Sequence, residues 1–161
     1  MSSTVMEFIP ATAQHYGAIA QLVTSPEELY LVCPTCHYPW TVPQIEAIAQ
    51  KRYNLTVGLL EGEVVAFSNL YDVQPDISAF IGNVIVSHTV RGKGIGKALL
   101  QHMMHLCQTE HQAQPHLSVV NHNTPALLLY TRLGFKPYSV EERPYLNGGI
   151  VGLIHMQYAK T

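Results

Sequence analysis

The stretch Val84-Ile-Val-Ser-His-Thr-Val-Arg91-Gly-Lys-Gly-Ile-Gly96-Lys-Ala-Leu-Leu100 decides the fold of this 161-residue chain. It starts like a buried strand and ends like an amphipathic helix, with three glycines between the two. The apolar face of the predicted helix comprises Ile95, Leu99, Met103 and Leu106. A strand, a glycine-rich turn and a helix in this order place free backbone N–H groups at a helix N-terminus, which is an arrangement that binds anions.

The glycine-rich turn favours a phosphate ligand, because glycines without Cβ atoms let a phosphate approach the backbone. The run does not match the P-loop pattern, and Lys97 occupies the place of the third glycine in the dinucleotide-binding pattern. A turn without a ligand is the alternative. The predicted phosphate or pyrophosphate cradle comprises Arg91, Gly92, Lys93, Gly94, Ile95 and Gly96.

Composition limits the remaining possibilities. Apolar residues make up 47% of the chain and charged residues 12%, and the formal net charge is −2. No run of Lys and Arg exceeds two residues, which argues against a nucleic-acid groove. The N-terminus does not resemble a signal peptide, and no apolar run approaches the ~20 residues that span a bilayer. We therefore expect a single domain, residues 1–161, located in the cytoplasm, with neither nucleic acid nor membrane as a partner.

Hydrophobic periodicity and turn residues predict the element order β-α-α-β-β-β-α-β-α-β-β, an α/β mixture around one sheet. Ser25-Pro26 is expected to break a first helix that runs from Thr12 to about Val23, and residues 31–40 are expected to be irregular. Thr41 and Gln44 have the spacing of a capping box, and Thr124 is the predicted N-cap of the last helix. The predicted strands are residues 5–9, 55–60, 64–73, 77–87, 116–120, 135–140 and 150–158.

Two motifs resemble those of the GNAT superfamily of acetyltransferases. The strand Val84–Val86 followed by Arg91-x-x-Gly94-x-Gly96 resembles its motif A, and Leu117-x-Val119-x-x-x-Asn123-x-x-Ala126-x-x-x-Tyr130-x-x-x-Gly134-Phe135 resembles its motif B. The resemblance implies a GNAT-like single domain. Such a domain has a mostly antiparallel mixed sheet with one splayed parallel strand pair, and helices on both faces.

The same resemblance implies the cosubstrate, acetyl-CoA or CoA. The backbone of Val84 and Val86 would hydrogen-bond the pantetheine arm, and the Val84 amide would also polarise the thioester carbonyl. The amides of residues 92–96 would bind the pyrophosphate, and Asn123 would bind the pantetheine. Tyr130 takes the position of the general acid, and its phenol is suited to protonate a departing thiolate.

The implied reaction is direct attack of a primary amine on acetyl-CoA. The acceptor would be a small amine or a peptide or protein N-terminus, and a non-catalytic acyl-CoA sensor is the alternative. The usual carboxylate base is absent, because Phe80 and Ser118 occupy the two positions where relatives carry Glu. A water chain to another residue would then be needed, and the choice stays open among Asp76, Glu28, His37 and His122.

Aromatic residues are expected to line the acceptor site or to pack in the core, with neither role favoured; they are Tyr30, Tyr38, Trp40, Tyr138 and Tyr145. Cys33-x-x-Cys36 is interpreted as two ordinary loop cysteines in preference to a metal or redox site, so no metal is predicted. The sequence does not predict the oligomeric state, and a homodimer is one possibility.

Overall fold

A single seven-stranded sheet organises the molecule. The computed structural model of the protein describes residues 6–159, so Val5 of the first predicted strand lies outside the described residues. The strands are β1 (Met6–Pro10), β2 (Tyr53–Leu60), β3 (Glu63–Gln74), β4 (Ser78–Val86), β5 (Gln114–Val120), β6 (Phe135–Pro144) and β7 (Ile150–Tyr158). Their order is β1-β2-β3-β4-β5-β7-β6, and only β4 and β5 run parallel. The predicted mixed sheet with one parallel pair is confirmed.

Helices cover both faces of the sheet, as predicted. They are α1 (Tyr16–Ala20), α2 (Pro26–Val32), α3 (Val42–Lys51), α4 (Ile95–His111) and α5 (Thr124–Arg132). Helices α4 and α5 contribute Leu99, Met103 and Tyr130 to a core on one face. Helices α1 to α3 pack on the other face around Ile19 and Ile45. Within residues 6–159, no helix has the length and hydropathy needed to cross a bilayer.

The N-terminal third differs from the prediction, since three helices precede β2 instead of two. The helix predicted from Thr12 to about Val23 begins as expected but is shorter: Thr12 is the N-cap of a 3₁₀ turn at Ala13–His15, which leads into α1, and α1 ends at Ala20. Ser25 and Pro26 begin α2, because the Ser25 hydroxyl accepts a hydrogen bond from the Glu28 amide at 3.0 Å. Proline fits the first helical turn because it has no N–H to lose there.

The capping-box prediction at α3 is also wrong in its detail. Thr41 is the N-cap, but its side chain makes no capping bond. The Gln44 amide donates to Thr41 Oγ1 at 3.0 Å and to the carbonyls of His37 and Pro39, and it accepts from the His37 N–H at 2.9 Å. Gln44 therefore holds the loop before α3 in place.

A β-bulge in β4 determines the geometry of the sheet centre. On β3, Phe67 pairs with Ile85 and Asn69 pairs with Gly82, so Ser68 alone faces two residues of β4, Asn83 and Val84. The extra residue is Asn83, at φ +48°. Because the bulge reverses the alternation of side chains, Ile81 faces the α4 core and Ile85 the opposite core.

Strands β4 and β5 separate just before this bulge. Their ladder runs from the pair Ser78–Gln114 to the pair Ile81–Leu117 and then stops. Beyond it, β5 continues to pair with β7 as far as Val120. The opening between the two strands, lined by residues 82–86 of β4 and 118–120 of β5, is called the strand gap below.

Candidate functional site

Asn83 is fixed by a buried polar network. Its side-chain oxygen accepts hydrogen bonds from Arg52 Nη1 at 3.0 Å and from Asn69 Nδ2 at 2.8 Å, and its Nδ2 donates to the Val32 carbonyl at 2.8 Å. The Arg52 guanidinium lies 4.3 Å from the centre of the Tyr71 ring, and burial lowers the pKa of Arg52. A network of this kind is stable only when its members are paired, so it holds the bulge in one conformation.

Val84 lies directly after the bulge and has no partner in the ladder with β3 or in that with β5. Val86 pairs with Ala66 of β3, but it has no partner on its β5 side. Both valines are half-buried against the α4 core. The two residues that the sequence assigns to pantetheine binding therefore border the strand gap.

The glycine-rich turn leads from the strand gap to α4. Gly92 has φ +81° and Gly94, the N-cap of α4, has φ +79°; a Cβ built on either residue would contact no atom within 4 Å. Glycine is needed there for the left-handed backbone, and the space in front of it is open to a ligand. The turn therefore fits the phosphate cradle predicted from sequence.

Gly96 lies at the first turn of α4, beside α5 and β4. A Cβ on it would lie 3.5 Å from Leu129 Cδ2 and 3.8 Å from Val86 Cγ2, which are ordinary contact distances, so an alanine would fit there. Ile95 has its side chain in the core, and only its backbone amide can serve a ligand. Lys93 is exposed at the mouth of the turn.

Arg91 connects the turn to α2. Its Nε donates to the Val86 carbonyl at 3.1 Å, and its Nη2 forms an ion pair with Glu28. The Glu28 carboxylate also accepts from the Thr24 amide at 2.7 Å. Burial would raise the pKa of Glu28, but the hydrogen bonds from Arg91 and Thr24 prevail and lower it. A carboxylate held in this way is a poor base, which counts against Glu28 in that role.

Asn123, and not Thr124, is the N-cap of α5. Its carbonyl accepts from the Leu127 amide at 3.0 Å, whereas its side chain makes no capping bond. The side-chain amide thus has donors and an acceptor that the helix does not use. The predicted ligand role of Asn123 is compatible with this arrangement and stays a prediction.

Tyr130 lies in α5 and is 6% exposed, with its ring 6.2 Å from that of Phe135. Burial raises its pKa, which keeps the phenol protonated at neutral pH. Within residues 6–159, its hydroxyl forms no hydrogen bond, and burial is the cause of its raised pKa. The role of Tyr130 as proton donor stays a prediction.

The other candidate bases are scattered. Asp76 lies in the turn between β3 and β4, at the opposite end of β4 from the strand gap. His37 is exposed in the loop before α3. His122 is exposed beside Tyr145, with ring centres 5.3 Å apart. Asp76 therefore lies away from Val84, whereas the roles of His37 and His122 stay predictions.

The aromatic residues fall into different groups. Trp40 is 4% exposed and packs 6.2 Å from Phe67, so it belongs to the core. Tyr30 of α2 and Tyr145 of the β6–β7 loop contact each other edge to face at 4.9 Å, and the Tyr30 hydroxyl donates to the Pro144 carbonyl. These two connect α2 to the β6–β7 hairpin.

A polar cluster that the sequence does not reveal lies on the sheet face opposite α4 and α5. Ser118 Oγ is 2.6 Å from His155 Nδ1, and His155 Nε2 is 3.3 Å from Glu141 Oε2. Three different strands, β5, β7 and β6, supply the three residues. Only the antiparallel register, in which Ser118 stands opposite His155, brings them together.

Cysteine chemistry lies apart from the strand gap. Cys33 and Cys36 are paired as a disulfide with a Cα–Cα distance of 5.5 Å, so the interpretation as two unlinked loop cysteines is wrong. Burial raises the pKa of the free Cys107 thiol to about 12, which makes it unreactive. Among the residues that the structure describes, no group of three or more His, Cys, Asp or Glu is placed to hold a metal.

Known proteins resemble this chain in sequence or in fold. A Bacillus subtilis (strain 168) protein provisionally named a [ribosomal protein bS18]-alanine N-acetyltransferase is 25% identical over 118 residues, 72% of this chain and 77% of its own. The Escherichia coli ribosomal-protein-S18-alanine N-acetyltransferase is 20% identical with a TM-score of 0.76, covering 98% of this chain and 96% of that one. Salmonella typhimurium yncA, solved with acetyl-CoA, is 17% identical with a TM-score of 0.74, covering 94% and 92%.

A family model decides the assignment. The model described as the acetyltransferase (GNAT) family matches residues 20–135, which include the β4 bulge, the glycine-rich turn, Asn123 and Tyr130. Acetyl-CoA is the acyl donor of this family. With the match extending over more than two thirds of its length, the chain belongs to the acetyltransferase (GNAT) family.

Proposed function

We propose that the protein transfers an acetyl group from acetyl-CoA to a primary amine by direct attack in a ternary complex. The acceptor is a small amine or the N-terminus of a peptide or protein. The observation that carries the proposal is the strand gap itself. At the gap, the backbone of Val84 has no partner strand. The open glycine-rich turn follows the gap along the chain, and Tyr130 packs in the core on the α4 face of the sheet.

The binding roles follow the order of these features along the gap. The amides of residues 92–96 take the pyrophosphate, supported by the N-terminus of the 17-residue α4. The backbone of Val84 and Val86 hydrogen-bonds the pantetheine arm, as it would hydrogen-bond a neighbouring strand. The Asn123 side chain adds a further hydrogen bond to the arm. The Val84 amide then donates to the thioester oxygen, where negative charge develops during attack.

Proton transfer completes the chemistry. The amine must lose a proton before it attacks the carbonyl carbon. The C–S bond then breaks, and the departing sulfur takes the phenolic proton of Tyr130 to give CoA as the thiol. The second proton that the attacking nitrogen loses on becoming an amide returns through solvent to Tyr130 and restores the phenol. Because burial raises the pKa of Tyr130, its proton is best transferred as the C–S bond breaks, when charge on sulfur is largest.

The acceptor class is supported by two facts. The Bacillus subtilis and Escherichia coli relatives are named for an alanine of a ribosomal protein, which favours a peptide N-terminus. An α-amine has a pKa near 7.7–8.0, whereas a lysine side chain has one near 10.4, so the α-amine needs less help to lose its proton. This suits a site with Phe80 and Ser118 where relatives carry Glu.

Turnover of acetyl-CoA tests the proposal. Free CoA thiol is measured with a panel of short peptides that differ in their N-terminal residue and a panel of small amines. We expect at least one acceptor class to be acetylated, with intersecting initial-velocity lines, as in a ternary complex. Parallel lines would refute direct attack. Tight binding of acetyl-CoA with no turnover on any amine would favour the non-catalytic sensor.

The cradle is tested by Gly94→Glu, which places a side chain and a negative charge in the open space at the N-terminus of α4. Gly62→Glu is the matched control, because Gly62 also has a positive φ, +84°, and open space, but lies in the β2–β3 turn. Acetyl-CoA should raise the melting temperature of the wild type and of Gly62→Glu through binding linkage. It should leave Gly94→Glu unchanged. Equal shifts in both variants would contradict the cradle.

A further inference from the structure

Ser118 occupies a defined place at the strand gap. The β4–β5 ladder ends at Leu117, so Ser118 is the first residue of β5 past the point where the strands part. Leu117 is buried in the core that contains Tyr130. Since side chains alternate along a strand, Ser118 points to the opposite face. The hydroxyl and the Tyr130 phenol therefore approach the gap from opposite sides of the sheet.

The neighbours of His155 favour one tautomer. Glu141 Oε2 lies 3.3 Å from Nε2, an arrangement that favours the tautomer with its proton on Nε2. Nδ1 then presents a lone pair, and the Ser118 hydroxyl donates to it at 2.6 Å. This is the arrangement in which a hydroxyl can pass a proton to imidazole, with a carboxylate that stabilises the imidazolium.

From this geometry, and resting on the proposed acetyl transfer, we infer that Ser118 and His155 form the proton relay that replaces the missing carboxylate base. The acceptor ammonium gives a proton to Ser118 Oγ while the Ser118 hydroxyl proton moves to His155 Nδ1. The products are a neutral amine and an imidazolium. Glu141 is a positioning residue that pairs with the imidazolium, and the proton leaves to solvent because the side chains of His155 and Glu141 are 19% and 45% exposed.

Several titratable groups surround the relay. Glu141 also accepts from Arg143 Nε at 2.6 Å, and hydrogen bonds from His155 and Arg143 lower its pKa, so it remains a carboxylate. The Tyr138 ring of β6 lies 6.1 Å from that of His155, and its hydroxyl is 3.1 Å from His116 Nδ1. The Tyr71 phenol of β3 is a second hydrogen-bond partner of Ser118. Burial raises the pKa of Tyr71 and the hydrogen bond with Ser118 lowers it; burial prevails, so Tyr71 stays a neutral phenol.

The test compares pH profiles of kcat and kcat/KM for wild type, Ser118→Ala and His155→Gln, using a peptide acceptor. At pH 7 we expect kcat to fall about 10²-fold or more in both variants with KM for acetyl-CoA unchanged. The loss of kcat relative to wild type should shrink as the pH rises above the amine pKa of about 8, because free amine then forms without a base. A structural role would give the same loss at every pH.

Controls separate the relay from its neighbours. His105→Gln, on the exposed side of α4, should leave the profile unchanged. The double variant Ser118→Glu/His155→Gln should be at least tenfold more active at pH 7 than His155→Gln alone, because it places a carboxylate directly at the gap. A double variant no faster than His155→Gln would show that position 118 does not face the acceptor, which overturns the relay.

Three further outcomes also decide between the relay and its alternatives. If His116→Gln, and not His155→Gln, produces the pH-dependent loss, the base is His116 and the relay is wrong. If wild type acetylates peptides and neither Ser118→Ala nor His155→Gln changes the profile, the relay fails while the proposed function stands. No turnover by wild type on any amine would overturn the proposed function first, and the relay with it.

Discussion

Replacing Asn83 tests whether the buried network holds the β4 bulge. Asn83→Ala removes three hydrogen bonds from a side chain that is 5% exposed. It leaves the Val32 carbonyl and the Asn69 amide without their partner, at about 1–3 kcal/mol each. Alanine at φ +48° adds about 1 kcal/mol, because a Cβ disfavours that conformation. The expected loss of unfolding free energy is about 4 kcal/mol.

Two comparisons isolate these contributions. Asn83→Gly removes the same hydrogen bonds without the backbone strain, so it should lose about 3 kcal/mol. Asn54→Ala is the matched control, since Asn54 has φ +54° but bonds Glu110 and His111 in a less buried position. Its loss should be only about 1–2 kcal/mol. Urea unfolding followed by circular dichroism measures all three.

The same variants report on the strand gap. If the network positions the Val84 backbone, Asn83→Gly should bind acetyl-CoA about tenfold more weakly, measured by titration calorimetry, whereas Asn54→Ala should bind normally. The reasoning would be refuted by Asn83→Gly variants that unfold within about 1 kcal/mol of wild type and bind acetyl-CoA with unchanged affinity. The bulge would then be fixed by the backbone of β3 and β4 alone.

Three other predictions concern single features. Tyr130→Phe should lower kcat roughly 10²–10⁴-fold with unchanged acetyl-CoA affinity. The melting temperature should change little, because the phenol makes no hydrogen bond to any residue in 6–159. An unchanged kcat would mean that another group donates the proton. The disulfide that closes the four-residue loop Cys33–Cys36 should contribute about 2 kcal/mol to the free energy of unfolding. In urea melts, dithiothreitol should therefore destabilise wild type but not the variant with both cysteines replaced by Ser. Equal responses of the two proteins would exclude the disulfide. Because the pKa of Glu28 is lowered in the folded protein, its carboxylate stabilises the fold above about pH 4.5, and this contribution is lost as the pH falls through the folded pKa. Glu28→Gln should therefore make the free energy of unfolding less dependent on pH in the acidic range. An unchanged pH dependence would mean that the ion pair with Arg91 contributes nothing to stability.

Sequence predicted the features that are encoded locally. The glycine-rich turn, the helix after it and the strand before it lie within about 30 residues, and each carries its own signal in side-chain pattern or backbone freedom. The beginning of α2 was misjudged because Ser25-Pro26 can end one helix and begin another. The cap that Ser25 forms with the Glu28 amide and the packing of Leu29 against the α1–α3 core together favour a new helix.

Long-range features were beyond the sequence for a different reason. The bulge depends on Arg52, Asn69 and Asn83, which lie on three separate strands or helix ends, and Asn83 alone has no pattern that indicates an extra residue. The relay depends on Ser118, 37 positions before His155, and on the register that pairs them. A shift of one residue in β7 would point His155 to the other face of the sheet and separate the pair.

The short β4–β5 ladder has a consequence for how this sheet can evolve. Two antiparallel blocks, β1–β4 and β5–β7, are joined by only four parallel pairs, and beyond Leu117 each block presents an unpaired strand edge inside the molecule. Such edges are usually covered or blunted, because their free N–H and C=O groups invite pairing. Substitutions that extended the ladder past Ile81 would stabilise the protein while closing the gap. Selection for activity therefore opposes the simplest route to a more stable fold.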